Sequence, residues 1–95
     1  MTRESILATI AANEEALRTL GVRELALFGS QARGEATEAS DIDFLVELEE
    51  HTFDSYFSVK EFLEALFNRK VDLVMNSALK PRLRDAILRE AIRAA

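Results

Sequence analysis

The sequence predicts a small α/β sandwich, one sheet of about three or more strands packed against helices. Apolar runs of strand length at Val22–Phe28, Asp41–Leu48 and Val71–Met75 alternate with stretches whose apolar residues recur at helical spacing, in the order α-β-turn-β-α-β-α. The length of 95 residues with 48% hydrophobic content suits one core and hence one domain, residues 1–95. The apolar stretches run only a few residues, too short to span a bilayer.

Each element has its own signature. Thr2 to about Leu20 reads as one amphipathic helix, with Ile6, Leu7, Ile10, Leu17 and Leu20 on one side and Glu14, Glu15 and Arg18 left in water. Thr2 is placed to cap it, and Gly21 stands where a helix stop is expected. Val22–Phe28, containing Leu25-Ala26-Leu27-Phe28, reads as a strand buried on both faces. It breaks at Gly29-Ser30, followed by a helical turn over Ser30–Arg33, a stop at Gly34 and a polar loop, Glu35–Ser40.

Asp41–Leu48 is the second strand. Ile42, Phe44 and Val46 share one face; Asp41, Asp43, Leu45 and Glu47 share the other. A helix over about Ser55–Asn68 carries Val59, Phe62, Leu63 and Leu66 as its apolar stripe, with Ser58 and Glu61 at capping-box spacing. Val71–Met75 is a third short strand bearing Asp72, and Pro81 suits the first turn of a last helix running on through Ile92 and Arg93.

Composition narrows the function classes. With no cysteine, disulfides, thiolate catalysis and cysteine-based zinc sites are excluded. The N-terminus lacks a basic flank followed by an apolar block, so the expected location is cytoplasmic, with no membrane partner. The net charge of −5 is uneven: residues 1–50 hold 4 Lys/Arg against 11 Asp/Glu, whereas residues 51–95 hold 8 against 6. Such a chain is poorly suited to gripping duplex DNA, where phosphate neutralisation dominates binding. Its acidic half is suited to concentrating a divalent cation.

Most of the chemistry lies between Gly29 and Val46. Residues two apart on a strand point the same way, so Asp41 and Asp43 project together with Cα atoms roughly 6.5–7 Å apart. Two such carboxylates repel unless a cation lies between them, and magnesium typically takes one or two carboxylates plus substrate phosphates. Asp72 can add a third from another strand, a set that suits a two-metal arrangement. A strand opening at Asp41 with Asp43 in solvent would give the same pattern, although aspartate is depleted in strands. Gly29 lets a ligand approach the backbone, the Ser30 turn offers free amides and a hydroxyl to an anion, and Arg33 can add a guanidinium to a phosphate. An ordinary turn glycine and a surface salt bridge remain the alternative.

Gly29-Ser30, ten intervening residues, then Asp41-Ile42-Asp43 resembles the signature of the DNA polymerase beta-like nucleotidyltransferase superfamily. The finer form, GSQARG followed by SDIDFLV, is similar to its minimal nucleotidyltransferase (MNT) group; VDLV at 71–74 and the LKPRLRDAILREAI tail fit the same pattern. The resemblance implies a mixed sheet of the polymerase beta-like nucleotidyltransferase fold. It implies that Gly29, Ser30 and Arg33 contact the triphosphate of ATP, that Asp41, Asp43 and Asp72 bind Mg2+, and that Asp72 helps deprotonate an acceptor hydroxyl. The implied reaction moves AMP from ATP to that hydroxyl with loss of pyrophosphate.

Larger members of the superfamily carry a second domain that holds the acceptor, which this sequence lacks. The MNT resemblance implies instead a partner protein, a helical HEPN-type ribonuclease toxin in a hetero-oligomer, silenced by AMPylation of a tyrosine; the chain would then be an antitoxin. Two other readings stand beside it: a non-catalytic module that neutralises the toxin by contact alone, and a nucleotidyltransferase subunit acting on a small molecule or RNA end with the acceptor site supplied in trans. His51, Lys60, Arg69 and Lys70 read as surface residues. Phe53, Tyr56 and Phe57 either wall an adenine site or pack their helix onto the core.

Overall fold

Alternation decides the architecture. Every second residue of the central strand, Ile42, Phe44, Val46 and Leu48, is buried to within 1% of complete, and each meets apolar side chains from helices on the same side. The computed structural model describes residues 1–37 and 40–95. Its strands are β1 (Val22–Phe28), β2 (Ile42–Leu48), β3 (Val71–Met75) and β4 (Ile92–Arg93), in the spatial order β3-β2-β1-β4. β1 pairs antiparallel with both β2 and β4, while β2 and β3 run parallel, so the sheet is mixed. The parallel pair needs a crossover, which the helix between them supplies.

The helices are α1 (Arg3–Ala12), α2 (Glu14–Thr19), α3 (Gly29–Arg33), α4 (Phe53–Phe67) and α5 (Pro81–Glu90), with a 3-10 turn at Asn76–Ala78. Ile6 and Ile10 of α1, Leu17 of α2, and Val59, Leu63 and Phe67 of α4 form one core with the inward residues of β1, β2 and β3. The opposite sheet face carries Ala26, Phe28, Asp43, Leu45, Asp72 and Val74. There Leu88 and Ala91 line a shallow cleft with Ala26 and Leu45, and none of the side chains of α5 is fully buried among the described residues. One face is thus core, and the other is partly open.

Several expectations need correcting. The first helix is two: Asn13 donates from Nδ2 to the Thr9 carbonyl at 2.8 Å, the acceptor its own amide would use in a continuous helix, and that amide bonds Ile10 instead. Thr2 does cap α1, accepting from the Ser5 amide while Ser5 Oγ accepts in return. α4 begins before Ser55, because Thr52 accepts from the Ser55 amide at 3.1 Å; Ser58 and Glu61 lie inside the helix and form no cap. β1 is fully buried on one face only, with Ala26 and Phe28 half-buried on the other and Arg23 and Glu24 exposed.

The last helix stops at Glu90, and Ile92 and Arg93 leave it to pair with Leu27 and Ala26 as an edge strand. The amides of Ala94 and Ala95 then donate to the Leu25 carbonyl. Of the expected polar loop Glu35–Ser40, residues 38 and 39 lie outside the described residues. No helix among the described residues is long and apolar enough to cross a membrane.

Candidate active site

The sheet register assembles the acids. Asp43 is the second residue of β2; its neighbour on β1 is Phe28 and its neighbour on β3 is Asp72. Residues paired across adjacent strands point to the same face, so the two carboxylates stand side by side on the open side of the sheet. Asp41 precedes the strand and is exposed, near enough for its charge to act on Asp43. The Asp43 carboxyl is pushed above its ordinary value, first by burial, then by the charges of Asp72 and Asp41 and by a hydrogen bond with Asp72; Arg33 opposes the shift. Two carboxylates set side by side in this way mark a place where positive charge is wanted.

The turn after β1 closes on this pair. Gly29 opens α3 at φ 74°, left-handed backbone that glycine adopts without a steric cost. A Cβ there would collide with the Asp43 carboxylate, whose Cγ lies 3.0 Å from that position. Glycine is therefore required twice, for its backbone angle and for the approach of Asp43. Ser30 is half-buried next in the chain, and α3 ends at Gly34 with φ 73°.

Arg33, on the exposed side of α3, donates from Nε to Glu35 at 3.0 Å and from Nη1 to both carboxylate oxygens of Glu90 at 2.9 and 3.2 Å. Glu90 also accepts from the Gly29 amide at 3.1 Å. These bonds hold the Arg33 guanidinium above its ordinary value, that to Glu35 first and that to Glu90 second. The Glu90 carboxyl is held below its own, by Arg33 first and then by the Gly29 amide. Glu90 is the residue that sequence reasoning missed. Its contacts span 57 and 61 positions of chain, and an acidic residue ending an amphipathic helix carries no local mark of such a role.

All six residues singled out in the sequence thus occupy one end of the open face: Asp43 with Asp72, Asp41 in front, and Gly29, Ser30 and Arg33 on the adjoining turn. Among the described residues no three acidic side chains converge closely enough to form a closed metal cage. The donor set nevertheless fits a hard cation: oxygen ligands only, two of them adjacent, with open space for phosphate oxygens or water to complete the shell.

A cleft of about 440 Å3 lies at the edge of the sheet. It is lined by His51, Phe53 and Tyr56 at the start of α4 and by Leu73, Val74 and Met75 on β3. Tyr56 donates its hydroxyl to the Leu73 carbonyl at 2.7 Å, and Phe53 stacks on Phe57 with centroids 6.0 Å apart. The cleft follows the edge strand from Leu73, the residue after Asp72, to Met75, and Tyr56 packs against the core.

Residues 11–94 match the nucleotidyltransferase domain family. The protein adenylyltransferase MntA of Thermococcus cleftensis is 44% identical over 94 residues, which are 97% of this chain and 95% of that one. A solved structure described as a minimal nucleotidyltransferase has TM-score 0.84 and 42% identity, covering 97% of this chain and 95% of its own. A chain from the complex of a tri-AMPylated HEPN toxin of Shewanella oneidensis with its MNT antitoxin shares the fold at TM-score 0.60 and 18% identity, over 90% of this chain and 71% of that one.

Proposed function

The chain belongs to the nucleotidyltransferase domain family, and from that premise we propose that it is a magnesium-dependent protein adenylyltransferase whose acceptor is a tyrosine of a HEPN-type toxin, which it silences as an antitoxin. The observation that carries this reading is the Asp43–Asp72 pair, set against the Gly29 turn and Arg33 on an open sheet face. A nucleotide can be held there by its phosphates. An acceptor side chain from another molecule can reach the acids, since they stand on an open sheet face. The names of the similar proteins, an adenylyltransferase and an antitoxin in complex with an AMPylated toxin, agree with a protein acceptor.

In this reading the amide of Gly29, the hydroxyl of Ser30 and the guanidinium of Arg33 hold the triphosphate. Asp41, Asp43 and Asp72 would hold Mg2+, which supplies charge neutralisation on the phosphates when bound. The acceptor hydroxyl oxygen bonds to the α-phosphorus of ATP while the bond to the bridging α–β oxygen breaks, and pyrophosphate leaves with that electron pair. Asp72, the more exposed member of the pair, takes the hydroxyl proton. Positioning and electrostatics do most of the work in such a transfer.

The test is incubation with magnesium, labelled ATP and the product of the adjacent gene, read by intact mass. AMP units gained by the partner and lost in Asp43→Asn support the transfer. A silenced partner of unchanged mass would leave a contact antitoxin, and label on an RNA end or small molecule would move the acceptor.

A further inference from the structure

Two donors assigned to the nucleotide are already engaged. The Gly29 amide has one hydrogen, and Glu90 accepts it at 3.1 Å; Arg33 Nη1 is spent on both oxygens of the same carboxylate. A carboxylate held by a backbone amide and a guanidinium makes the contacts that a phosphate oxygen pair would make. The same N–H cannot serve Glu90 and a phosphate together, and two anions cannot share one cradle without repulsion.

Glu90 is also placed to let go. It is the last residue of α5, a helix with no fully buried side chain among the described residues, and its ion pair with Arg33 is partly exposed, at 29% for Glu90 and 44% for Arg33. Breaking such a pair costs little. A second polar tie of the helix, Arg84 Nη2 to the Asn76 carbonyl at 3.0 Å, is nearer its N-terminal end.

We propose that Glu90 is a latch on the phosphate site. Its carboxylate occupies the Gly29 amide and the Arg33 guanidinium in the free protein and is displaced by an incoming triphosphate, which frees the C-terminal end of α5. The proposal rests on reading Gly29 and Arg33 as phosphate donors. The consequence is a site that is selective as well as guarded: a ligand must bring enough negative charge to replace Glu90, so triphosphates load and weakly anionic molecules do not. Because α5 leads directly into β4, nucleotide occupancy is also transmitted to the sheet edge beside β1.

Calorimetric titration of wild type and Glu90→Gln with magnesium ATP, and separately with inorganic tripolyphosphate, tests this. The glutamine keeps the size and removes the charge, so both probes should bind the variant about three- to tenfold more tightly, the wild type being limited by its unlatched fraction. Hydrogen exchange along α5 of the wild type should rise on saturation with ATP. If ATP binds both proteins equally, or binds Glu90→Gln more weakly, Glu90 positions Arg33 instead of blocking it, and the latch is refuted while the phosphate site stands. If neither folded protein binds ATP or tripolyphosphate, the phosphate site itself fails and the latch with it. Should the variant not fold, the exchange measurement decides, since unchanged exchange in α5 under saturating ATP refutes the latch.

Discussion

Asp43 and Asp72 are direct neighbours across the parallel β2–β3 pair, and burial first, then the negative charge of Asp72, raises the Asp43 carboxyl above its ordinary value. A raised carboxyl in the native state means that the folded protein binds a proton more readily than the unfolded chain. Stability therefore falls as pH rises from near the ordinary value of 3.8 through the raised native one, and stays lower above it. Asp43→Asn removes that penalty. The variant should melt at a higher temperature than wild type at pH 7, with the difference closing below the ordinary carboxylate range, and it should be inactive. Millimolar magnesium should raise the melting temperature of the wild type and leave that of Asp43→Asn nearly unchanged. Thermal melts at several pH values check both.

The glycines offer a matched pair. Gly29 and Gly34 have nearly the same backbone angle, φ 74° and 73°, but a Cβ at Gly29 meets Asp43 whereas one at Gly34 meets nothing within 4 Å among the described residues. Gly34→Ala should cost only the left-handed strain, about 1–2 kcal/mol. Gly29→Ala should cost more, roughly 3 kcal/mol or above, because Asp43 or the turn has to shift. Urea denaturation of the two variants separates strain from collision.

The acid pair was legible because strands have period two: once residues 41–48 and 71–75 read as strands, Asp43 and Asp72 had to face away from the apolar partners on either side of them. The parallel register that sets them side by side was not, since it depends on where α4 returns the chain. β4 escaped for a plainer reason. Two residues have no period, and Ile92 and Arg93 become a strand only by bonding to β1. The break at Asn13 was masked because the apolar spacing from Ile6 to Leu20 continues across it, and its cause is one side-chain hydrogen bond. Glu90 belongs with these, as its role exists only after folding.

The aromatic cluster at the start of α4 has two readings, helix packing and an adenine wall, and mutation separates them. Tyr56→Phe loses the bond to the Leu73 carbonyl and should destabilise by about 1 kcal/mol. Phe53 is 81% exposed, so Phe53→Ala should change stability by less than about 0.5 kcal/mol. Neither should alter ATP affinity when the group serves to pack its helix onto the core, as Tyr56 does. A tenfold loss of ATP binding in either variant would make the cluster the adenine wall.

Helix α4 tests capping at two nearby threonine and serine positions. Thr52 Oγ1 accepts the Ser55 amide at 3.1 Å, satisfying one of the free N–H groups of the first turn, whereas Ser58 is a full turn inside the helix, exposed and without a capping bond among the described residues. Thr52→Ala should therefore cost about 1 kcal/mol. Ser58→Ala should cost nothing and slightly stabilise, by up to about 0.5 kcal/mol, since alanine is the better residue in a helix interior. The spacing of Ser58 and Glu61 in the sequence predicts the reverse order. Which order the melts give depends on where the helix starts, and that start fixes how α4 spans from the end of β2 to the beginning of β3. The register that brings Asp72 beside Asp43 follows from the same span, so a one-residue slip there would turn Asp72 into the core and dismantle the pair.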